Sequence, residues 1–392
     1  MPGVSKMPDV RKVVLLINPS REHTRGLLNG IAKYARLHSS WMFYRPLEYR
    51  EPRFRQKLPS VLKALQPDGI LMREPPHADE IIKMGVPVVS FPYTRERIPG
   101  IANVITDHVA VGHVAAEHLL ERGFRCFAYC GFDDWWWSRQ RKEGFSEAVA
   151  KADFPVHAYQ LPRARSKRTW GKELPIIVAW LEALPKPVGL MASNDDRAEL
   201  VIEACKTAGL SVPDEVAVVG VDNDRTICDL SSPPLSSVAL NVGKAGYDAA
   251  ALLDRMMATG LEAPQTIYIQ PTHVVTRLST DVLAVDDPDV ATAVRYIRRH
   301  ARTSVGVAAV VANSGASRRV LEKRFRQVLG HTIHDEISRV RLELVTAMLT
   351  ETSMAISEIA RELEFPDVAH LSRYFRKATG LSPLQYRKQF VL

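Results

Sequence analysis

Two stretches near the end of the chain place cations where they can meet a polyanion. Ala316 to Arg326 reads Ala-Ser-Arg-Arg-Val-Leu-Glu-Lys-Arg-Phe-Arg, and Ala369 to Lys377 reads Ala-His-Leu-Ser-Arg-Tyr-Phe-Arg-Lys. In each, a Leu and a Phe four residues apart (Leu321/Phe325 and Leu371/Phe375) share one helical face and leave the basic residues on the others. The exposed set of the first stretch is Arg318, Arg319, Glu322, Lys323 and Arg326; the second offers His370, Ser372, Arg373 and Lys377. A further set of residues suits a different ligand. Asp107, Arg141, Asn194, Asp195 and Asp222 could exchange hydrogen bonds with a polyhydroxylated molecule. Trp135, Trp136 and Trp137 could stack on its apolar C–H faces.

The elements that must carry these residues follow from periodicity. Each basic stretch comes after a short apolar helix and a turn: Val307–Asn313 then Ser314-Gly315, and Ile356–Leu363 then Glu364-Phe365-Pro366. Helix, tight turn and basic helix is the layout that sets a recognition helix into the major groove of duplex DNA. Between the two copies, Ile333, Ile337, Val340, Leu344, Ala347 and Met348 fit one long helix over Thr332–Thr350. Such a rod, about 30 Å long, compares with about 34 Å for one turn of B-DNA. Successive major grooves are within its reach.

These residues resemble the AraC/XylS family of transcription regulators. The resemblance rests on Ser317-Arg-Arg-Val-Leu-Glu-Lys-Arg-Phe325, Ile356-Ser-Glu-Ile-Ala360, His370-Leu-Ser-Arg-Tyr-Phe-Arg-Lys377 and the closing Gly380-Leu-Ser-Pro-Leu-Gln-Tyr-Arg387. It spans about 289–390. By motif position it implies that Arg319, Glu322 and Lys323 face base edges, with Arg318 and Arg326 nearer phosphates. One departure stands out: Glu364 occupies a position where the family usually has Gly.

The first 280 residues have a different rhythm, in which apolar strand-like runs alternate with helical patterns. Val13–Ile17, Gly69–Met72, Val86–Phe91, Cys126–Cys130, Val188–Ala192 and Val216–Val221 read as strands. Thr24–Leu37, Ala78–Met84, Ala110–Arg122, Gly144–Lys151, Ala198–Ala208 and Gly243–Thr259 read as helices. Alternation implies parallel sheets with helices on both faces and ligands at the carboxyl ends of the strands. Polar clusters fall at those ends: Asn18-Pro-Ser-Arg21, Asp133-Asp134, Asn194-Asp195-Asp196 and Asp222-Asn223-Asp224.

Val219-Gly-Val-Asp-Asn223, Ala192-Ser-Asn-Asp-Asp-Arg-Ala198, Arg141 with Gly144-Phe145, and Asp107 with Gly112 resemble the effector domain of the lactose/galactose repressor family. That likeness, over about 11–280, implies two α/β lobes joined by crossover strands around a sugar cleft, as in periplasmic binding proteins. Carried over by position, Asp107, Arg141, Asn194 or Asp195, and Asp222 become sugar ligands. Each keeps a structural alternative: Asp107 or Asp222 as a cap or turn residue, Arg141 paired with a surface carboxylate, a Trp buried in the lobe core or on a dimer face. A sugar sensor joined to such a tail implies D-xylose as the effector, dimerisation through the first lobe and, for an activator, engagement of RNA polymerase.

The expected architecture is thus an α/β two-lobed sensor at 11–280, a short acidic linker at 281–289 and an all-α tandem helix-turn-helix domain at 290–392. Ligand closure of the lobes would be passed through that short linker to the paired DNA-binding domains. With 392 residues and a net charge of +8, DNA affinity must come from locally placed cations. No apolar run approaches the roughly 18 residues of a membrane span, and Met1–Asp9 lacks the pattern of a signal peptide. Four cysteines suggest a reducing, cytoplasmic setting, and Cys126 and Cys130 have no second pair with which to bind metal. Phosphate-binding Gly-rich loops, Gly-x-Ser-x-Gly and His-Glu-x-x-His are all missing, so no enzyme and no cofactor is expected. A sugar receptor of a transport system is the alternative reading; it leaves the basic tail unexplained.

Overall fold

Val216–Val221 is apolar at every position without alternation, and all six residues are buried, as a parallel strand covered on both faces requires. The computed structural model describes residues 10–46, 57–74, 78–164, 166, 168–260, 264–282 and 287–390. The N-terminal segment 1–9 and the central part of the expected linker, 283–286, lie outside the described residues.

The first lobe holds β1 (Arg11–Leu16), α1 (Glu22–His38), β2 (Trp41–Tyr44), α2 (Leu58–Leu65), β3 (Gly69–Met72), α3 (Ala78–Ile82), β4 (Val88–Ser90) and β5 (Ala102–Thr106). At Asp107 the chain crosses into the second lobe. There lie α4 (His108–Leu120), β6 (Phe127–Cys130), α5 (Trp136–Ala150), β7 (Val156–Ala158), α6 (Trp170–Ala183), β8 (Val188–Ala192), α7 (Asp195–Ala208), β9 (Val216–Val221), α8 (Arg225–Leu230) and β10 (Ser236–Leu240). It returns through Asn241 for α9 (Val242–Thr259) and β11 (Thr266–Ile269), then crosses again at Gln270 into β12 (Pro271–Val275). The two six-stranded sheets run β11-β5-β4-β3-β1-β2 and β12-β10-β9-β8-β6-β7. All described pairings are parallel except that of β10 with β12.

Close helix packing sets each lobe. A Cβ on Gly30 of α1 would lie 2.0 Å from the Gly243 carbonyl of α9, and one on Gly112 of α4 would lie 2.3 Å from the Arg141 carbonyl of α5. Only glycine permits such approaches. The hinge is tied by backbone and amide bonds: Asp107 N donates to Ile269 O, Asn241 N to Gln270 O, and Gln270 N to the Asn241 side chain at 2.7 Å.

The last hundred residues form α10 (Pro288–His300), α11 (Val307–Ala312), α12 (Arg318–Leu329), α13 (Ile333–Glu351), α14 (Ile356–Glu362), α15 (Val368–Thr379) and α16 (Pro383–Phe390). Two apolar cores share α13. Ile333, Ile337 and Val340 join Leu321 and Phe325 in the first, while Val345 and Leu349 join Leu371 and Phe375 in the second. A reciprocal capping pair, Thr332 with Asp335, starts α13. Its 19 residues make a rod of about 28 Å.

Several elements depart from the periodicity reading. The helix expected from Gly144 begins at Trp136, so the tryptophans sit on its first turn rather than in a loop. β5 was hidden because Asn103 interrupts its apolar run; the buried amide is satisfied by Ile98 and Ile101. α6 was hidden by Pro175 inside it.

Glu364 takes φ +51, the left-handed conformation that the missing Gly would favour, and its carboxylate accepts from Ser304 N at 3.0 Å. Both Glu364→Gly and Glu364→Ala lose that bond, but only Gly escapes the strain. The Gly variant is expected to be about 1 kcal/mol more stable than the Ala variant in denaturant unfolding; equal stabilities would show an unstrained turn.

Candidate functional site

The carboxyl ends of both sheets open on one cavity of about 200 Å³ between the lobes. That is below the roughly 300–1,000 Å³ of drug-sized sites, so it suits one small ring. From the first lobe come His23 on α1, Arg73 after β3 and Tyr93 after β4; from the second, His108, Trp136, Trp137, Arg141 and Asp222.

Arg141 organises the second-lobe wall. Its guanidinium is buried and donates to His108 Nδ1 at 3.2 Å, to the Ser193 carbonyl and to Asp222 at 3.4 Å. It also lies 5.2 Å from the Trp137 ring centre. Burial, then the charge of Arg141, holds the His108 pKa well below its ordinary value. A neutral His108 that accepts at Nδ1 carries its proton on Nε2 and so keeps a donor. His23 is likewise neutral, its pKa lowered to about 3 by burial and then by Arg73 and Arg141. His23 Nδ1 and Trp137 Nε1 are buried without a hydrogen-bond partner in the protein. Buried polar atoms are seldom left so, and both line the cavity.

The structure sorts the sequence-derived set. Trp136, Arg141, Asn194, Asp195 and Asp222 line the cavity. Asp107 does not; it is the N-cap of α4 and accepts from Ala110 N, because the chain must start a helix as it crosses lobes. Trp135 is not among the lining residues either; it packs at a tilt on Tyr93 at 5.0 Å and stacks on Trp137 at 6.4 Å. Asn194 caps α7 through Arg197 N. Asp195 is buried with both oxygens engaged, by Ser237 Oγ at 2.5 Å and Asp224 N at 2.7 Å. Burial first, then the charge of Asp222, raises its pKa well above the usual carboxylate range. It braces the wall by joining Ser237 to the backbone at Asp224. Asp222 instead directs its carboxylate to Arg141 and the cavity from a φ of +101. His23, Arg73, Tyr93 and His108 escaped the sequence reading, since nothing in their spacing reveals a gap between two lobes.

The lobes touch across the cleft. Arg21 pairs with Asp196 at 2.7 Å, Arg25 with Asp224 at 3.3 Å, and Trp136 Nε1 donates to Tyr93 O at 2.9 Å.

In the helical domain, the buried Leu321 and Phe325 fix which face of α12 looks outward. Helical geometry puts Arg319, Val320, Lys323, Arg326 and Gln327 on that face, and all five are exposed. Glu322 lies on the flank, half-buried and paired with Arg318 at 3.0 Å. On α15 the matching face carries Ala369, His370, Arg373, Arg376 and Lys377, and Ser372 falls on the flank. Anchoring the helical period on the Leu–Phe pairs would have found Val320, Gln327 and Arg376.

Residues 116–280 match the model of a periplasmic binding protein-like domain, and residues 310–389 that of a helix-turn-helix domain. The chain is 30% identical over 385 residues to the xylose operon regulatory protein of Escherichia coli K12, covering 96% of each. It is 28% identical to the protein of that name from Haemophilus influenzae, covering 96% of this chain and 98% of the relative. A solved structure of a xylose-binding transcription activator aligns over 99% of this chain and 100% of its own, with a TM-score of 0.62 and 28% identity. A ribose-bound regulator of the lactose-repressor family from Enterococcus faecalis shares the sensor fold at 19% identity, with a TM-score of 0.55 over 69% of this chain and 98% of its own.

Arg319 extends from the middle of the outward face, where a guanidinium can grip guanine O6 and N7. Arg319→Ala should cost about 1–3 kcal/mol against a duplex selected by the wild type and relax one base position in a repeated selection. Glu322→Ala, on the flank, should return the original site. An unchanged site from Arg319→Ala would limit that residue to phosphate contact.

Proposed function

The chain belongs to the family of the xylose operon regulatory proteins, and on that premise we propose that it binds D-xylose between its lobes and activates sugar-catabolic genes. A sugar-responsive, DNA-binding transcription regulator is what family membership establishes; it is not an enzyme. The transport-receptor reading is not favoured, because the relatives match across sensor and DNA-binding tail alike.

One observation carries the sugar site: a small cavity whose lining holds two orphaned polar atoms, His23 Nδ1 and Trp137 Nε1, beside the Arg141–Asp222 pair. A pentose supplies hydroxyls that donate and accept, and its ring faces suit Trp136 and Trp137. Carboxylates paired with arginines at Arg141–Asp222 and Arg21–Asp196 favour a neutral ligand over a sugar acid. Arg141, Asp222, His23, Trp136 and Trp137 are the sugar contacts in this reading, while Asn194 and Asp195 hold the wall. Arg319, Lys323 and Arg326, with His370, Arg373 and Lys377, read or grip DNA.

The regulator works as a cytoplasmic homodimer and engages RNA polymerase. What supports pairing through the first lobe is apolar surface at the end of α1 and on the edge strand β2, where Leu37 and Met42 are exposed by 61% and 50%. No helix among the described residues is long and apolar enough to cross a membrane.

D-xylose at about 100 times its dissociation constant should add about 2.7 kcal/mol to unfolding stability, and D-glucose should add none. Asp222→Asn keeps a residue that tolerates positive φ but loses the charge. It should weaken D-xylose by about tenfold or more in calorimetry and leave sugar-free DNA affinity unaltered. Undiminished binding by the variant would take Asp222 out of the site.

A further inference from the structure

Helix α4 starts at the cavity and ends on the DNA-binding domain. Its first residue, His108, lines the cavity, accepts from Arg141 and meets the Trp136 ring at 4.9 Å. Its C-cap residue, Glu121, accepts from Arg339 of α13 at 2.9 Å. The 13 helical residues between make a stiff rod of about 20 Å. Gly112 and Gly144 lock that rod against α5, which carries Arg141.

The far end of α4 is equally well fixed. Arg339 is 15% exposed at its side chain and also binds Glu336 at 2.8 Å and Glu343 at 2.6 Å on its own helix. Glu336 is fully buried and further held by His331 at 3.0 Å. Next to Glu121, the buried Arg122 donates to the Thr280 and His118 carbonyls at 3.0 and 2.9 Å, tying the rod to the chain just before the linker. α13 belongs to both helix-turn-helix cores, so whatever moves it moves both recognition helices.

We propose that Glu121 and Arg339 form the joint through which the occupied sugar cavity sets the orientation of the DNA-binding domain, with α4 as the connecting rod. They are positioning residues, since neither lines the cavity nor lies on the outward faces of α12 and α15. The inference rests on the sugar-sensing reading above. A ligand that engages Arg141 acts on His108, to which Arg141 donates, and so displaces one end of α4, and the Glu121–Arg339 pair passes the displacement to α13. Coupling of this kind is a ratio of affinities and is separable from either affinity alone.

The test uses the full chain and a duplex selected by the wild-type protein from a random library in the presence of D-xylose. Calorimetry gives D-xylose affinity, and titration of the duplex with and without D-xylose gives the coupling ratio. Glu121→Gln should bind D-xylose within about twofold of wild type, yet its coupling ratio should fall about fivefold or more, toward one. Glu121→Asp keeps the charge that Arg339 needs and should restore most of the ratio, which a purely structural role for Glu121 would not require. Wild-type coupling in Glu121→Gln overturns the joint and leaves the sugar reading intact. A wild-type protein that does not bind D-xylose overturns the sugar reading, and this inference with it.

Discussion

A buried guanidinium must have its donors satisfied, and Arg141 meets that requirement by drawing four elements together. α4 contributes His108, the end of β8 contributes the Ser193 carbonyl, the end of β9 contributes Asp222, and α5 carries Arg141 itself. Placing this charge away from water would be costly without such partners. The tight α4–α5 packing at Gly112 and Gly144 brings the donors within range. The second-lobe wall of the cavity is organised around that one side chain, and its charge adds to burial in keeping His108 neutral.

The first lobe meets this wall through weaker, more exposed contacts. Arg21–Asp196 and Arg25–Asp224 are partly solvated, and ion pairs of that kind are worth little individually. Contacts of this kind across a cleft are replaced by water at small cost. The Arg141 network is buried within the second lobe, whereas the arginines of the inter-lobe pairs, Arg21 and Arg25, are exposed at their side chains.

The helical domain solves a second constraint, that two small cores be held at a set spacing. α13 contributes side chains to both cores and so fixes their separation. Its charged face is equally occupied: Arg339 and Glu336 are inward, and burial alone would raise the Glu336 pKa. Hydrogen bonds from His331 and Arg339 outweigh that and hold it down to about 2. The cluster therefore stays ionised at neutral pH, where it can clasp Glu121 of the sensor.

The sequence by itself determined the two-part architecture and the family. Apolar runs and twin Leu–Phe pairs depend on local periodicity, which a chain carries wherever it folds. It also marked Asp222, because strand ends in parallel sheets are where ligands gather, and Arg141 through the resemblance to the lactose/galactose repressor family. Only the tertiary structure decided which polar residues are spent. Asp107 becomes a cap and Glu322 a flank partner for Arg318 through local bonds, each one of several roles open to such a residue. Asp195 becomes a brace through Ser237, 42 residues away, a bond that leaves no periodic trace. His23 and His108 enter the cavity for the same reason: two lobes meet there, and sequence spacing does not record that meeting. The contact of Glu121 with Arg339, 218 residues apart, is the extreme case. It exists because two separately folded cores present matching charges at one surface, a fact of three-dimensional packing alone.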